Sequence, residues 1–277
     1  MSAIFYAGGS RRARIIYGAF AQGMAKHGLN LEVMHADNYT GVQAEVAVFY
    51  GLIGNLKKLY HDYNNAGKTT IFFDLGYWGR HDEGRYYGYH RIAINALHAS
   101  VRKVYKEDRL KKFNLEVAEP KRSGEYIIMA GQSAKAAWVY DMEPEEWERK
   151  TIQELRSLTE REIYYHPKIS WREAKPIEGT IYWPESIEPL LANAWALVTH
   201  HSNSSLLALA KGVPIYTVDG IAKTLSMRHL DQIESPRYAT KDEVLNLLSG
   251  AAYQQWRIDE IANGDLLSHL RTEGVDL

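Results

Sequence analysis

The sequence predicts an α/β fold made of two Rossmann-like, doubly wound domains that face each other. The first observation behind this prediction is that short apolar runs, typical of buried strands, alternate with helical patterns along the chain. The second is size: 277 residues are enough for two domains of ordinary length, and 45% hydrophobic with 24% charged residues is typical of a globular protein. We therefore expect parallel sheets covered by helices on both faces.

The first half of the chain supplies the elements of the first domain. Residues 14–27 place Ile15, Ala19 and Met24 at near-helical spacing and end at Gly28, a residue typical of helix ends. The β-branched and aromatic run at residues 69–73 leads directly into Asp74. The further predictions are strands at residues 3–6, 31–34 and 44–50 and a helix at residues 55–65.

The second half repeats the pattern after a charged segment. Residues 106–124 are rich in charge and end in proline and glycine, so we place an interdomain linker there. This gives an N-terminal domain at residues 1–115 and a C-terminal domain at residues 125–277 that includes the terminal helices. The predicted elements are strands at residues 126–130, 163–165, 196–199 and 213–218, helices at residues 144–159, 186–194 and 204–211, and helices from Lys241 onward.

Composition excludes several classes of protein. The chain has no cysteine, which excludes a disulfide scaffold, a thiolate zinc site and a cysteine nucleophile. No apolar run is as long as a membrane span, and the N-terminus does not have the pattern of a secretory signal. We therefore expect a cytoplasmic protein without membrane contact. We also expect a monomer or small homo-oligomer. A net charge of -1 argues against a general electrostatic attraction to nucleic acid but leaves room for a local basic patch.

Three polar motifs follow predicted strands in the second half, where an α/β sheet collects its ligands. The longest comes after residues 196–199 and runs into a helix of small residues, whose N-terminus suits a phosphate. By itself it is also an ordinary capped helix, and the other two motifs are by themselves a turn and a stopped strand. The candidate donor-binding residues are Gly131, Gln132, Ser133, His166, Lys168, His200, His201, Ser202, Asn203, Ser204 and Ser205.

The order of these motifs resembles the C-terminal domain of GT-B glycosyltransferases. Gly-Gln-Ser, a Glu/Trp-rich helix, Thr-x-Arg-x-Ile, His-Pro-Lys and a strand–polar loop–helix–Gly-Val-Pro run follow one another over residues 126–220. The pattern is similar to capsule-type transferases with a His-Pro motif and to phage proteins of like layout. The resemblance implies a nucleotide sugar as co-substrate. The family's Ser-x-x-Glu-Ala-Leu carboxylate is missing, because this chain reads SSLLALAKG, and the donor stays unassigned.

The first half offers an acceptor segment at residues 73–95, where aromatic residues alternate with arginines. We expect Asp74, or failing that His81, to act as the general base, and Tyr77, Trp78, Arg80 and Tyr86 to shape the acceptor pocket. The alternative is a purely structural role, as a tyrosine-rich loop that covers the sheet. The segment also resembles phage-encoded proteins linked to modified DNA bases, which implies a hydroxylated pyrimidine in DNA as the acceptor.

The function predicted from these features is sugar transfer by a GT-B enzyme without metal or other cofactor. His166, Lys168, His200 and the helix from Ser204 are expected to stabilise the leaving diphosphate, and neither an Asp-x-Asp pair nor a His/Glu cluster at metal spacing is present. Alternatives are transfer to a surface glycan, a sugar-nucleotide epimerase, and a non-catalytic nucleic-acid or glycan binder. A dinucleotide oxidoreductase is disfavoured because AGGSRRA lacks the G-x-G-x-x-G fingerprint.

Overall fold

The computed structural model describes residues 2–277, which divide into two compact units. The first unit contains the chain up to Ala99 together with Ala251–Leu277, and the second contains Ser100–Gly250. The strands are β1 (Ala3–Ala7), β2 (Glu32–His35), β3 (Val46–Tyr50), β4 (Thr69–Leu75), β5 (His90–Ile94), β6 (Tyr126–Ala130), β7 (Ile163–His166), β8 (Ile181–Tyr182), β9 (Ala194–Thr199), β10 (Ile215–Thr217) and β11 (Gln255–Trp256).

The helices connect these strands in the alternating order that the sequence predicts. They are α1 (Arg11–Lys26), α2 (Asn55–Asn65), α3 (Asp108–Lys111), α4 (Ala134–Val139), α5 (Glu146–Leu158), α6 (Glu188–Leu191), α7 (Ser204–Ala210), α8 (Lys241–Tyr253), α9 (Ile258–Asn263) and α10 (Asp265–Thr272). Short 3-10 helices span Ala36–Asn38, Ile221–Leu225 and Leu230–Glu234.

The first unit contains a six-stranded sheet in the order β11-β5-β4-β3-β1-β2. Strands β1 to β4 are parallel, whereas β5 pairs antiparallel with β4 and β11 antiparallel with β5. On one face the buried side chains of β1, β3 and β4 pack against α1, and on the other face Tyr6 contacts Tyr63 of α2. The expected Rossmann-like parallel sheet is therefore present, with two antiparallel strands added at its edge.

The second unit contains a five-stranded parallel sheet in the order β10-β9-β6-β7-β8. Ile127 and Met129 of β6, with the buried residues of β7 and β9, pack against Ile152 and Leu155 of α5. Both units are thus α/β sheets of the Rossmann-like class, as the alternation of strands and helices predicted.

Helices α9 and α10 belong to the first unit, whereas the expected C-terminal domain at residues 125–277 included them. Trp256 of β11, Ile261 of α9 and Leu266 and Leu270 of α10 lie in the same hydrophobic cluster as β1 and α1. Their apolar stripes predict helices correctly, but burial against α1 comes from a long-range contact that local periodicity does not encode.

The charged segment at residues 106–124 also differs from the expected linker. Its backbone lies against α7, because the amide of Ala118 donates to the carbonyl of Ala210 and the amide of Lys121 to the carbonyl of Gly212, each at 2.8 Å. A Cβ on Gly212 would stand 2.2 Å from the carbonyl oxygen of Glu119, so the contact is close. The segment is charged because its side chains face water, while its backbone is anchored to the second unit.

Gly23 tests the packing of the C-terminal helices on α1. A Cβ at this position would lie 2.3 Å from the carbonyl oxygen of Ile261 in α9, whereas a Cβ at Gly18 of the same helix meets nothing within 4 Å. Gly23→Ala is expected to lower the free energy of unfolding by about 1–3 kcal/mol through overpacking. Gly18→Ala, the matched control, is expected to raise it by about 0.5–1 kcal/mol through helix propensity. Urea denaturation measures both, and equal stabilisation by the two variants would contradict the α1–α9 contact.

Candidate functional site

The carboxyl ends of β6, β7 and β9 lie side by side in the second unit. Ala130, the last residue of β6, pairs in register with His166 of β7 and with Thr199 of β9. The amide of Gly131 donates to the carbonyl of His166 at 2.9 Å, and the Thr199 hydroxyl donates to the carbonyl of Ala130 at 2.8 Å. The three polar motifs that follow these strands therefore begin at one edge of the sheet, as the sequence analysis expected.

Gly131 and Gln132 turn the chain from β6 into α4, next to the buried side chains of Tyr165 and Glu148. A Cβ on Gly131 would stand 2.9 Å from the ring of Tyr165, so only glycine fits without displacing the ring. The backbone amide of Gln132 donates to Oε1 of Glu148 at 2.6 Å. Ser133 caps α4 by accepting from the amide of Ala136, so its role here is structural.

Several buried polar atoms in this corner have no partner in the part of the protein that the structure describes. They are both side-chain atoms of Gln132, Oε2 of Glu148 and the hydroxyl of Tyr165. Glu148 is fully buried, and this burial raises the pKa of its carboxyl group. Buried polar atoms without partners are costly in a folded protein, so this corner is suited to polar ligand atoms or ordered water.

His166 is held as a neutral imidazole beside the strand ends. Its Nδ1 lies 3.2 Å from the carbonyl oxygen of Trp183, which requires a hydrogen on Nδ1 and leaves Nε2 for a ligand. Burial lowers the pKa of His166, and Lys168 lowers it further, while the Trp183 carbonyl acts in the opposite direction. Lys168 is exposed on the segment that follows.

The pair His200 and His201 shares one proton between its rings. Their Nδ1 atoms are 2.8 Å apart, so one nitrogen donates and the other accepts. The accepting ring must be the tautomer with hydrogen on Nε2, and it can donate to an anion without becoming charged. Burial lowers the pKa of His200, although Asp219 opposes this effect.

Tyr140 and Asp219 support the histidine pair. The ring of Tyr140 lies 4.5 Å from that of His200 and 4.9 Å from that of His201, and its hydroxyl donates to Asp219 at 2.9 Å. The amide of Asp219 in turn donates to the carbonyl of His200 at 2.7 Å. This network fixes the imidazoles at the strand end.

The serines at the start of α7 and just before it mostly bond to one another. Ser204 donates its amide and its hydroxyl to the Ser202 hydroxyl, and the Ser205 hydroxyl donates to the Ser202 carbonyl. The side chain of Asn203 does not cap α7, a helix of only seven residues. The expected set of hydroxyl donors is therefore reduced, since the hydroxyls of Ser204 and Ser205 already donate to Ser202.

The residues that support this edge were not predicted from the sequence, although the spacing of one of them, Glu148, indicates its burial. Glu148 precedes Thr151, Ile152 and Leu155 by three, four and seven residues, which is the spacing of the buried stripe of α5. A carboxylate on an apolar helix face indicates a buried acid. The other missed residues, which no local pattern marks, are Tyr140, Tyr165, Asp219 and Trp147, whose ring lies 5.4 Å from that of His200.

In the first unit, Asp74 lies within β4 and is paired with a buried arginine. Its Oδ2 accepts from Arg91 at 2.9 Å across the antiparallel β4–β5 pair, and its Oδ1 accepts from the amide of Leu75. The Asp74 side chain is 39% exposed and that of Arg91 only 7%. Asp74 thus compensates a buried charge while one side of its carboxylate is accessible.

The predicted acceptor residues occupy the loop between β4 and β5, and one of them differs from expectation. Tyr77 is buried, with its backbone amide bonded to Gln255, so its ring packs beneath the loop rather than lining a surface. Trp78, Arg80 and Tyr86 are partly exposed, and His81 is exposed. Strand β5 was not predicted, because its five residues follow a segment dominated by aromatic and charged residues.

Within residues 2–277 no group of three or more His, Asp or Glu side chains is arranged to hold a metal ion. None of the helices in the same range has the length and apolarity that crossing a bilayer requires.

The fold is similar to that of solved sugar transferases. The β-Kdo 2,4-transferase KpsC of Thermosulfurimonas dismutans matches with a TM-score of 0.52 and 13% identity, over 91% of this chain and 90% of that one. The β-Kdo 2,7-transferase KpsC of the same organism matches with a TM-score of 0.54 and 11% identity, over 97% and 100%. No family model and no curated protein sequence matches. The chain therefore has a GT-B-like fold of two Rossmann-like units.

The buried Glu148 gives a pH-dependent prediction. The pKa of Glu148 is raised in the folded protein, so the folded state binds more protons than the unfolded state. The stability gained from this extra proton binding is present at low pH and is lost as pH rises through the folded pKa. Glutamine does not ionise, so Glu148→Gln is expected to gain stability relative to the parent as pH rises from about 4 to neutral. Denaturant unfolding across this range measures the difference. Glu154→Gln, exposed on the same helix, serves as control, and a pH-independent difference for Glu148→Gln would contradict burial of the acid.

Proposed function

We propose that this chain is a glycosyltransferase that moves a sugar from a nucleotide-sugar donor to a hydroxyl group of an acceptor. The observation that carries the proposal is the adjacency of Gly131, His166 and His200 at the carboxyl edge of the second sheet. In open α/β sheets this edge is where nucleotides bind. The two KpsC structures of similar fold are transferases of the sugar Kdo, which supports the same class of reaction.

The proposed donor residues supply hydrogen bonds to the departing phosphate. One imidazole of the His200–His201 pair holds an Nε2–H donor, and His166 becomes a cation when an oxyanion binds at its Nε2. Lys168 adds an exposed ammonium group. Because these groups stabilise negative charge on the leaving group, we propose turnover without a divalent metal or other cofactor.

We propose a glycan hydroxyl as the acceptor, bound by the first unit. The hydroxylated pyrimidine of DNA predicted from the sequence is the second candidate. It is favoured by Trp78, whose partly exposed ring is suited to stacking a base. Asp74 is the proposed general base, since its carboxylate is paired with Arg91 and is partly accessible. A cytoplasmic location stays a prediction.

Donor binding is expected to depend on pH through His166. The free imidazole is neutral at pH 7 because burial lowers its pKa, whereas a bound phosphate favours the imidazolium. Binding then takes up a proton, and the affinity for the donor rises as pH falls from about 8 to about 6. Calorimetric titration with UDP-, GDP-, dTDP-, ADP- and CMP-activated sugars, including CMP-Kdo, measures this.

His166→Ala is expected to weaken binding and flatten the pH dependence, while His35→Ala, at an exposed histidine of the first unit, leaves both unchanged.

A saturating donor at 100 times its Kd adds about 2.7 kcal/mol to the stability. Absence of binding across the panel would refute the donor site. Conversion of the sugar without an acceptor would indicate an epimerase, and activity lost in EDTA and restored by magnesium would refute metal independence.

Asp74→Asn tests the proposed base. The variant is expected to lower kcat by about 10²–10⁴-fold and to leave donor affinity nearly unchanged, because the lost carboxylate acts only on the acceptor proton. Steady-state kinetics on the folded variant measure this, with Asp82→Asn, exposed in the following loop, as control. If Asp74→Asn lowers stability through the unpaired Arg91 yet retains the parental kcat, Asp74 is structural, and His81 and His90 become the candidates.

A further inference from the structure

Three arginine side chains surround the ring of Tyr86 in the first unit. The guanidinium carbon lies 4.9 Å from the ring centroid for Arg11, 5.3 Å for Arg12 and 5.5 Å for Arg85. We call this group the arginine cluster. Each distance is within the range of a cation–π contact, so a single aromatic ring gathers three permanent positive charges.

The arginine cluster is assembled from distant parts of the chain and is internally bonded. Arg11 and Arg12 open α1 directly after the Ser10 cap, whereas Arg85 comes from the loop between β4 and β5. Arg12 donates to the carbonyl of Arg85 at 2.7 Å and to the hydroxyl of Tyr50 at 3.3 Å. Tyr50 ends β3, so the cluster lies at the carboxyl edge of the first sheet.

The cluster has no anionic partner of its own. Among residues 2–277, no carboxylate lies within 4.0 Å of a nitrogen of these three guanidinium groups. The nearest acids in sequence to Arg85 are Asp82 and Glu83, and Glu83 approaches Arg257 instead. Three adjacent like charges repel one another, and an oxyanion bound among them removes this repulsion.

Two orphaned buried atoms accompany the cluster. The Nε of Arg12 is buried and has no acceptor among residues 2–277. His90 is 1% exposed, its ring lies 6.2 Å from that of Tyr50, and its Nε2 has no partner in the same range. Buried donors and acceptors are nearly always bonded in folded proteins, so these atoms indicate a polar partner at this edge that the chain itself does not supply.

We propose that the arginine cluster binds one phosphate group carried by a sugar acceptor. This rests on the proposed function, because it assigns the chemical class of the acceptor for that reaction. A phosphate monoester offers three terminal oxygens, which suit donors approaching from three side chains, whereas a carboxylate offers two oxygens in one plane. The guanidinium groups of Arg11 and Arg85 are exposed and so are accessible to such a group.

The distribution of charge favours a single phosphate over a nucleic-acid backbone. A polyanion needs cations spread along its path, but here the positive charge is concentrated around one ring. Asp82 and Glu83 are exposed on the same loop as Arg85, and they would repel a strand that continues along it. The net charge of -1 gives no general attraction to DNA.

The experiment is a titration followed by NMR of the arginine Nε–H resonances, carried out without any nucleotide sugar. The probes are glucose 6-phosphate, glucuronic acid and a short single-stranded DNA. Glucose 6-phosphate is expected to bind saturably and to shift the resonances of the arginine cluster. Arg11→Gln combined with Arg85→Gln is expected to weaken this binding about tenfold or more, because two charge-assisted contacts are lost. Arg14→Gln, exposed on the same helix but outside the cluster, is the matched control and leaves the affinity unchanged.

Three results would overturn the proposal: no saturable binding of glucose 6-phosphate, binding that the double variant retains, or tighter binding of glucuronic acid or DNA than of the sugar phosphate. Both substituted positions are exposed, and unchanged thermal unfolding of the double variant separates loss of the site from loss of the fold. If no nucleotide sugar binds but glucose 6-phosphate does, the proposed glycosyltransferase function is refuted and the phosphate site is retained. Donor binding without phosphate binding would refute only the acceptor class.

Discussion

The register of three parallel strands is the constraint on which the proposed site depends. Ala130 stands between His166 and Thr199, and the hydrogen bonds Gly131–His166 and Thr199–Ala130 keep the ends of β6, β7 and β9 level. A shift of one residue in either pairing would turn the following side chains to the opposite face of the sheet. The polar motifs meet because the backbone ladders place them together, and no motif alone accounts for the site.

Beneath this edge the protein retains polar groups that reduce its stability. Glu148 and Tyr165 are fully buried, and Gly131 is required where a larger residue would meet the Tyr165 ring. Burial raises the pKa of Glu148 and also that of Tyr165, so ionising either group is unfavourable in the folded protein. Polar groups that lack partners in a core are characteristic of binding sites, where a ligand completes their hydrogen bonds.

The sequence predicted elements wherever local pattern and burial agree. Helix α2 and strand β6 have the predicted bounds, and α5 is shorter than predicted by two residues at its start and one at its end. Strand β5 was missed because it begins with two polar residues, His90 and Arg91, whose burial depends on the partner strand β4. The arginine cluster joins residues 73 positions apart, and the terminal helices pack on α1, so only the tertiary fold reveals either contact. Long-range packing leaves no periodic trace in a single sequence.

The most direct test of the central claim is hydrogen–deuterium exchange with and without the tightest-binding nucleotide sugar of the panel. If the carboxyl edge of the second sheet binds the donor, the ligand slows amide exchange at residues 131–133 and 200–205, because a bound donor stabilises these segments against local opening. The amide groups at the opposite, amino-terminal ends of β6 and β9 keep their exchange rates. Protection confined to other parts of the chain, with residues 131–133 and 200–205 unchanged by a bound donor, would contradict the account.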